Sequence, residues 1–280
     1  MKYQIISDSS ADVTEEMKEK WGLKLIPFTI TVDGVEFVDD DHLDPMDLLE
    51  AMRQSSNPIR SGCPSPYDYQ KAMEECGDCE GIFILTISSK LSGSYNSAYL
   101  AKQVFEEENP GKKIYVLDSK TAGPGQTNIL LALYDFIKEG MDFETIIEKA
   151  EEHIKNLNTF FILESLDNLM KNGRISKSKG LIANAFNIKP IMRGIDGEIG
   201  LYELNRGFKR SLSKLAGRLG EIEKDLSNRI LTISHVDALD KAMFFKEKVL
   251  EKYTPKDIII VPTLGLATAY ADDGGIIITF

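Results

Sequence analysis

The run Ile82-Phe83-Ile84-Leu85-Thr86-Ile87 is apolar at nearly every position. A strand with no polar face must be covered on both sides, which is the condition of a strand inside a parallel sheet with helices above and below it. The surrounding pattern repeats the theme. Strand signals near Tyr3–Ser7, Leu23–Val32, Ile82–Ile87 and Lys113–Leu117 alternate with helix signals near Thr14–Trp21, Pro45–Gln54, Pro66–Glu75, Ser94–Glu107 and Gln126–Lys138. Such alternation predicts an α/β layer on a mostly parallel sheet. An Asp33-Gly34 pair between Val32 and Val35 adds one hairpin signal, a small antiparallel excursion from that plan.

A further helix at Phe143–Asn156 precedes a change of character. From Thr159 the order becomes strand, helices, two strands joined at Asp196-Gly197 (Ile188–Arg193 and Glu198–Leu204), helix, strand Arg229–His235, helix Ala238–Lys252 and closing strands. Strands joined by so short a turn pair antiparallel, so this half predicts an α+β layer of its own. The expected division is an N-terminal α/β domain, residues 1–157, packed on a C-terminal α+β domain, residues 158–280.

Charge and cysteine usage narrow the partners. With 33 Lys and Arg against 44 Asp and Glu, the net charge of −11 disfavours nucleic acid and anionic membrane surfaces, both of which need a positive field. The N-terminus runs straight into a strand signal and no apolar stretch spans a bilayer, so no signal peptide and no stable membrane insertion are expected, and the expected compartment is the cytoplasm. Cys76-Gly77-Asp78-Cys79 has the spacing of a redox pair or zinc half-site, but it lies between a helix end and a strand start, away from the helix N-terminus that would activate a thiol. With only Cys63 and the dispersed His42, His153 and His235 left as ligands, no metal site is expected and the pair reads as a turn.

Ligands of open parallel sheets bind at the carboxyl ends of the strands. Here that rule selects Ser7-Asp8-Ser9-Ser10, Ser88 to Ser94, and Asp118 to Gly125, all rich in hydroxyls and small residues. The second is the best anion site on the chain: a strand feeds a helix beginning near Gly93, where unpaired N–H groups and the positive helix end meet the hydroxyls of Ser92 and Ser94. Asp8 and Asp118 read as Asx turns or caps. Upstream, Pro58 to Tyr67 carries Ser65 as a helix N-cap before Pro66, whereas Ser61 has no such structural task and is presented by a rigid, proline-flanked loop.

These residues resemble the DegV family over essentially the whole chain. Asp8-Ser9-Ser10-Ala11-Asp12, Arg60-Ser61-Gly62-Cys63-Pro64-Ser65-Pro66 and Ser88 to Ala98 are similar to family motifs, and Asp118-Ser119-Lys120, Lys171-Asn172-Gly173-Arg174-Ile175-Ser176 and Asn187-Ile188-Lys189-Pro190 follow in the family's order. The resemblance implies a long-chain fatty acid, such as palmitate, stearate or oleate, lying in an apolar tunnel between the two domains, and no other cofactor. Its carboxylate would be held by Ser61 and Ser92, with Gly93 and Ser94 beside them and Arg174 near the charge. On the residues alone, Arg174 reads equally as a surface arginine after a glycine turn. Tunnel candidates are Gly180 to Phe186 and Phe160 to Leu163. The chain departs from the family near its end, where Ala271 stands at the position of a family histidine, flanked by Tyr270, a candidate replacement hydroxyl, and by Asp272 and Asp273.

The resemblance further implies a bacterial lipid carrier without catalysis of its own, presenting the acid to a fatty-acid kinase, with Arg206 and Arg210 as candidate docking residues. Two alternatives keep the site and change the output. One is a serine hydrolase with Ser92 as nucleophile and His235 as the candidate base, which lacks the Gly-x-Ser-x-Gly elbow. The other is a lipid-sensing regulatory module.

Overall fold

Three sheets organise residues 2–175 and 187–280, the residues that the computed structural model describes. Along the first half run β1 (Tyr3–Asp8), α1 (Glu15–Trp21), β2 (Leu23–Ile26), β3 (Thr29–Val32), β4 (Val35–Val38), α2 (Pro45–Gln54), β5 (Arg60–Gly62), α3 (Pro66–Glu74), β6 (Gly81–Thr86), α4 (Ser94–Glu108), β7 (Lys113–Asp118), α5 (Pro124–Lys138) and α6 (Phe143–Lys155). There follow β8 (Thr159–Ile162), α7 (Asp167–Lys171), β9 (Ile191–Ile195), β10 (Glu198–Glu203), α8 (Phe208–Ile222), β11 (Ile230–His235), α9 (Leu239–Leu250), β12 (Asp257–Pro262), α10 (Gly265–Ala271) and β13 (Ile276–Thr279).

The first sheet has the order β2-β1-β6-β7 and is parallel throughout. Its strands are apolar on both faces because both are covered: Ile5, Phe83 and Leu85 pack toward α5 and α6, whereas Ile6, Ile82 and Ile84 pack toward α3 and α4. The second sheet, β10-β9-β8-β13-β11-β12, is antiparallel except for the β11–β12 pair. In β8 the period of two divides Phe160 and Ile162, which join the core under α8 and α9, from Phe161, which joins Leu163 and Met192 on the other face. Helix α5 lies between the sheets. Its Asn128 donates to Ile230 O at 2.8 Å, and Thr232 Oγ1 on β11 donates to Pro124 O at 2.9 Å.

Both Asp-Gly signals form hairpin turns with two positive φ angles, Asp33 at 49° and Gly34 at 83°, Asp196 at 49° and Gly197 at 85°. Three expectations need correction. The extended stretch Leu23–Val32 is two strands in two sheets, because Pro27 has no N–H for the ladder and the chain turns there. Ser61 sits on a short strand rather than a loop, since Arg60–Gly62 pairs with β3 and places Ser61 opposite Ile30. The closing strands are separated by α10, whose short Gly265-Leu266-Ala267-Thr268-Ala269 run carries no charge pattern.

Two buried carboxylates from the first forty residues hold α10. Asp39 Oδ1 accepts from the Gly265 N–H at 2.7 Å and Oδ2 from Leu266 N–H at 2.9 Å, so a side chain 226 positions away caps a helix whose own N-cap residue offers none. Gly265 is required there, for a Cβ would stand 2.6 Å from Asp39 Oδ1. Asp12 Oδ1 accepts from Leu264 N–H at 2.9 Å, while its Oδ2 and the nearby Ser234 hydroxyl are buried without a partner among the described residues. Burial pushes the Asp12 carboxyl up to about 7 and that of Asp39 to about 6.

A carboxyl with a raised folded pKa keeps its proton in the native state after the unfolded chain has lost it. Asp12 therefore subtracts stability as pH climbs from about 4 toward 7, and the full penalty is present above that range. Asp12→Asn retains the acceptor for Leu264 and cannot ionise. The melting temperature of the variant minus that of the native protein is expected to grow between pH 5 and pH 8, by an amount equivalent to on the order of a few kcal/mol. A difference that stays flat across that range contradicts this account of the carboxyl.

Candidate functional site

The carboxyl ends of β1, β6 and β7 deliver the loops 8–12, 87–93 and 118–123 to one side of the parallel sheet, facing β8 and β13 of the second. Between them opens a cavity offering about 200 Å³ to groups the size of water. Phe28, Ile87 and Leu266 wall it on one side, with Phe161, Leu163 and Ile277 opposite. The period of two in β8 is what turns Phe161 inward while Phe160 and Ile162 serve the core behind it.

The lining is also polar in part, with Ser10, Lys120, Thr121, Thr159 and Glu198 on the wall besides a linked polar cluster, its polar end. Ser61, Cys63, Ser92, Gly93, Arg174 and Tyr270 all line it, and contacts between them show that they form one cluster. Ser61 Oγ and Tyr270 Oη are 2.8 Å apart. The Arg174 guanidinium carbon lies 5.7 Å from the Tyr270 ring centroid, and its Nε donates to Leu91 O at 3.2 Å, one residue before Ser92. A Cβ on Gly93 would stand 3.4 Å from Cys63 Sγ, which sets the spacing of the strand β5 side from the helix α4 side.

The serine-rich loop resolves into distinct tasks. Ser88 Oγ donates to Gly197 O at 2.7 Å, Ser89 Oγ to Asp118 Oδ2 at 2.5 Å and Ser94 Oγ to Asp8 Oδ2 at 2.6 Å. Ser92 Oγ accepts from the Ser94 N–H at 3.3 Å and donates in no hydrogen bond among the described residues. Ser92 is also one of the residues that line the cavity. Ser94, expected beside it, is fully buried, bonded also to Tyr69 Oη at 2.6 Å, and outside the cavity wall, so its side chain positions the loop rather than facing a ligand. Asp8 is the hub of that loop: Oδ2 accepts from Ile87 N–H at 3.0 Å as well as from Ser94, and Oδ1 from Ser10 at 2.7 Å and Gln126 at 3.0 Å. Asp118 Oδ1 accepts from Lys120 N–H at 3.1 Å, the Asx-turn role expected of it.

Other candidates fall elsewhere. The stretch Gly180 to Phe186 lies outside the described residues, and Arg206 and Arg210 are exposed around the start of α8, away from the cavity wall. None of the three histidines lines the cavity. His235 Nδ1 accepts from Ala238 N–H at 3.2 Å at the start of α9, and burial lowers its pKa, so it has no contact with Ser92 through which to act as its base. The described residues contain no cluster of three or more His, Cys, Asp or Glu able to hold a metal ion, and no helix long and apolar enough to cross a membrane. Asp273 pairs with Arg53 at 2.6 Å and neither Asp272 nor Asp273 lines the cavity, so the carboxylates beside Ala271 do not charge the polar end.

Sequence reading placed Ser61, Ser92, Gly93 and Arg174 in the site but gave no weight to Cys63. Of the buried carboxylates that hold the walls, Asp12 stands in the sequence only as the last residue of the Asp8-Ser9-Ser10-Ala11-Asp12 motif, and Asp39 carries no motif. Asp39 opens the acidic run Asp39-Asp40-Asp41 and Asp12 follows Ser9-Ser10-Ala11, so nothing local distinguishes either until the distant amides of Leu264, Gly265 and Leu266 are known to meet them.

A family model described as "Uncharacterised protein, DegV family" matches residues 2–279. A DegV domain-containing protein of Streptococcus pneumoniae is 33% identical over 284 residues, spanning 100% of this chain and 99% of that protein. Among solved structures, a DegV-family protein from Ruminococcus gnavus, described with vaccenic acid, matches over 100% of both chains with a TM-score of 0.95 and 38% identity. The Streptococcus pneumoniae Fatty Acid Kinase (Fak) B3 protein, described as loaded with linoleic acid, matches over 100% of this chain and 99% of its own with a TM-score of 0.90 and 31% identity.

The cysteines report on the cavity mouth. Cys63 is exposed, whereas Cys76 is buried, its Sγ bonded to Ala72 O and its thiol pushed up to about 11 by burial. Limited maleimide labelling of the native protein, mapped by mass spectrometry, is expected to modify Cys63 well before Cys76. Labelling in the reverse order contradicts this placement.

Proposed function

The chain belongs to the DegV family, and from that premise we propose that it binds a long-chain fatty acid non-covalently, with Ser61 and Ser92 donating to the carboxylate and the acyl chain along the apolar walls. In this reading the ligand lies between a domain of residues 1–157 and a domain of residues 158–280. The observation that carries it is a cavity with extensive apolar walls and, in one part of its lining, a linked cluster that holds two hydroxyls, the Gly93 helix start and a guanidinium. A carboxylic acid with a long alkyl chain has the same division of character.

The magnitudes fit. Burial at about 0.8 kcal/mol per methylene supplies on the order of 10 kcal/mol for ~14 methylenes, before the costs of association. Hydrogen bonds to a charged carboxylate add about 1.5–3 kcal/mol each. The walls therefore supply affinity, and the serines with Arg174 supply orientation and preference for an acid. Gly93 contributes by letting the α4 N-terminus approach the anion.

The relatives that carry vaccenic and linoleic acid support this ligand class, and the likeness to a protein named for a fatty-acid kinase supports a carrier that presents its acid to such a kinase. Exposed Arg206 and Arg210 at the start of α8 are the proposed docking residues. The hydrolase reading loses its candidate base, since neither His235 nor another histidine lines the cavity.

Native mass spectrometry of the purified protein, followed by denaturing extraction, is expected to give a one-to-one adduct with the mass of a long-chain fatty acid. Ser61→Ala and Ser92→Ala are each expected to weaken binding of added oleate or palmitate by roughly tenfold to a hundredfold while leaving the melting transition cooperative. A native protein that neither carries nor takes up a fatty acid overturns the reading, and unchanged affinity in both variants overturns the assignment of the hydroxyls.

A further inference from the structure

We infer that Tyr270 is a positioning residue for the ligand's head group: its phenol donates to Ser61 Oγ and so aims the serine's own proton into the cavity. The inference rests on the fatty-acid reading and adds to it the residue that makes Ser61 an oriented donor.

The two oxygens are 2.8 Å apart, and both side chains are half-buried in the cavity wall. Each hydroxyl has one proton, so the bond between them uses one and leaves one. Phenols are much stronger acids than aliphatic alcohols, which makes Tyr270 the better donor and Ser61 the better acceptor of the pair. The cation above the ring sharpens this polarity, since the Arg174 guanidinium at 5.7 Å draws on the π-electrons of Tyr270. Ser61 is then left with its proton free, and a carboxylate at the polar end completes a chain from phenol to serine to anion in which each bond polarises the next.

The backbone holds both ends of the chain. Ser61 is registered opposite Ile30 by β5 pairing, and α10, which bears Tyr270, is fixed at its start by Asp39. A hydroxyl pair formed from residues 209 positions apart is thus set before any ligand enters. The gain falls on a charged head group. A neutral group of the same chain length fills the same walls but draws little from a polarised donor.

The test compares palmitate with hexadecanol, measured by displacement of a fluorescent fatty-acid probe at a pH where the acid is ionised. Tyr270→Phe is expected to weaken palmitate roughly threefold to tenfold and hexadecanol less than twofold. Ser61→Ala is expected to abolish the further effect of Tyr270→Phe, and Ser61→Thr to retain it. Unchanged palmitate affinity in Tyr270→Phe, or equal losses for acid and alcohol, overturns the inference while the fatty-acid reading stands. A native protein that binds neither ligand brings down that reading and the inference with it.

Discussion

The attachment of α10 to the carboxylates of Asp39 and Asp12 is the contact on which the rest of the site depends. The helix is seven residues long, begins with an unpaired set of amides and has no capping side chain of its own. Asp39 accepts from two of those amides and Asp12 from the one before them. Burying two carboxylates costs free energy, and in both the charged form is disfavoured, yet leaving the amides and acids without each other would cost more. Through these bonds, a segment near the end of the chain is registered against the three-stranded layer near its beginning. Leu266 and Tyr270 reach the cavity wall because of that registration.

A parallel logic fixes the opposite wall. Asp8, at the end of β1, accepts from Ile87, Ser94, Ser10 and Gln126, so one carboxylate joins the loop before α4 to the start of α5. Its oxygens are fully engaged by four donors, which is how a fully buried carboxyl group can be tolerated there. The site is a meeting of loops, but loops whose positions are set by buried acids on rigid strands.

Much of the fold was legible because its signals are local. Apolar strands between helices announced the parallel sheet, and Asp33-Gly34 and Asp196-Gly197 announced their hairpins, since a two-residue turn leaves its mark on two residues. Strand β5 and helix α10 were not legible. The first is three residues whose strand character comes from pairing with β3, and the second is short and uncharged, stabilised by a cap supplied from Asp39. The break in Leu23–Val32 was marked by Pro27, a single residue whose missing N–H outweighs the extended pattern on either side.

The site shows the same division with a chemical twist. Counting hydroxyls in Ser88 to Ser94 correctly identified a polar loop, but composition cannot tell a hydroxyl that binds from one that builds. Ser88, Ser89 and Ser94 each donate to a protein acceptor, and Ser94 in particular is committed to Asp8 and Tyr69. Ser92 differs in one respect: the acceptor side of its oxygen is occupied by the Ser94 amide, and among the described residues its proton is not. A loop rich in serine is therefore mostly scaffold, and in the proposed reading the binding falls to the one member that the scaffold, among the described residues, leaves with a donor. In the arrangement inferred above, Ser61 reaches the same condition by another route, with the Tyr270 phenol 2.8 Å away in place of a backbone amide. In both, the serine that faces the cavity is one whose acceptor side the protein can satisfy, so that what remains to be satisfied is the proton, and the group that satisfies it must be an acceptor.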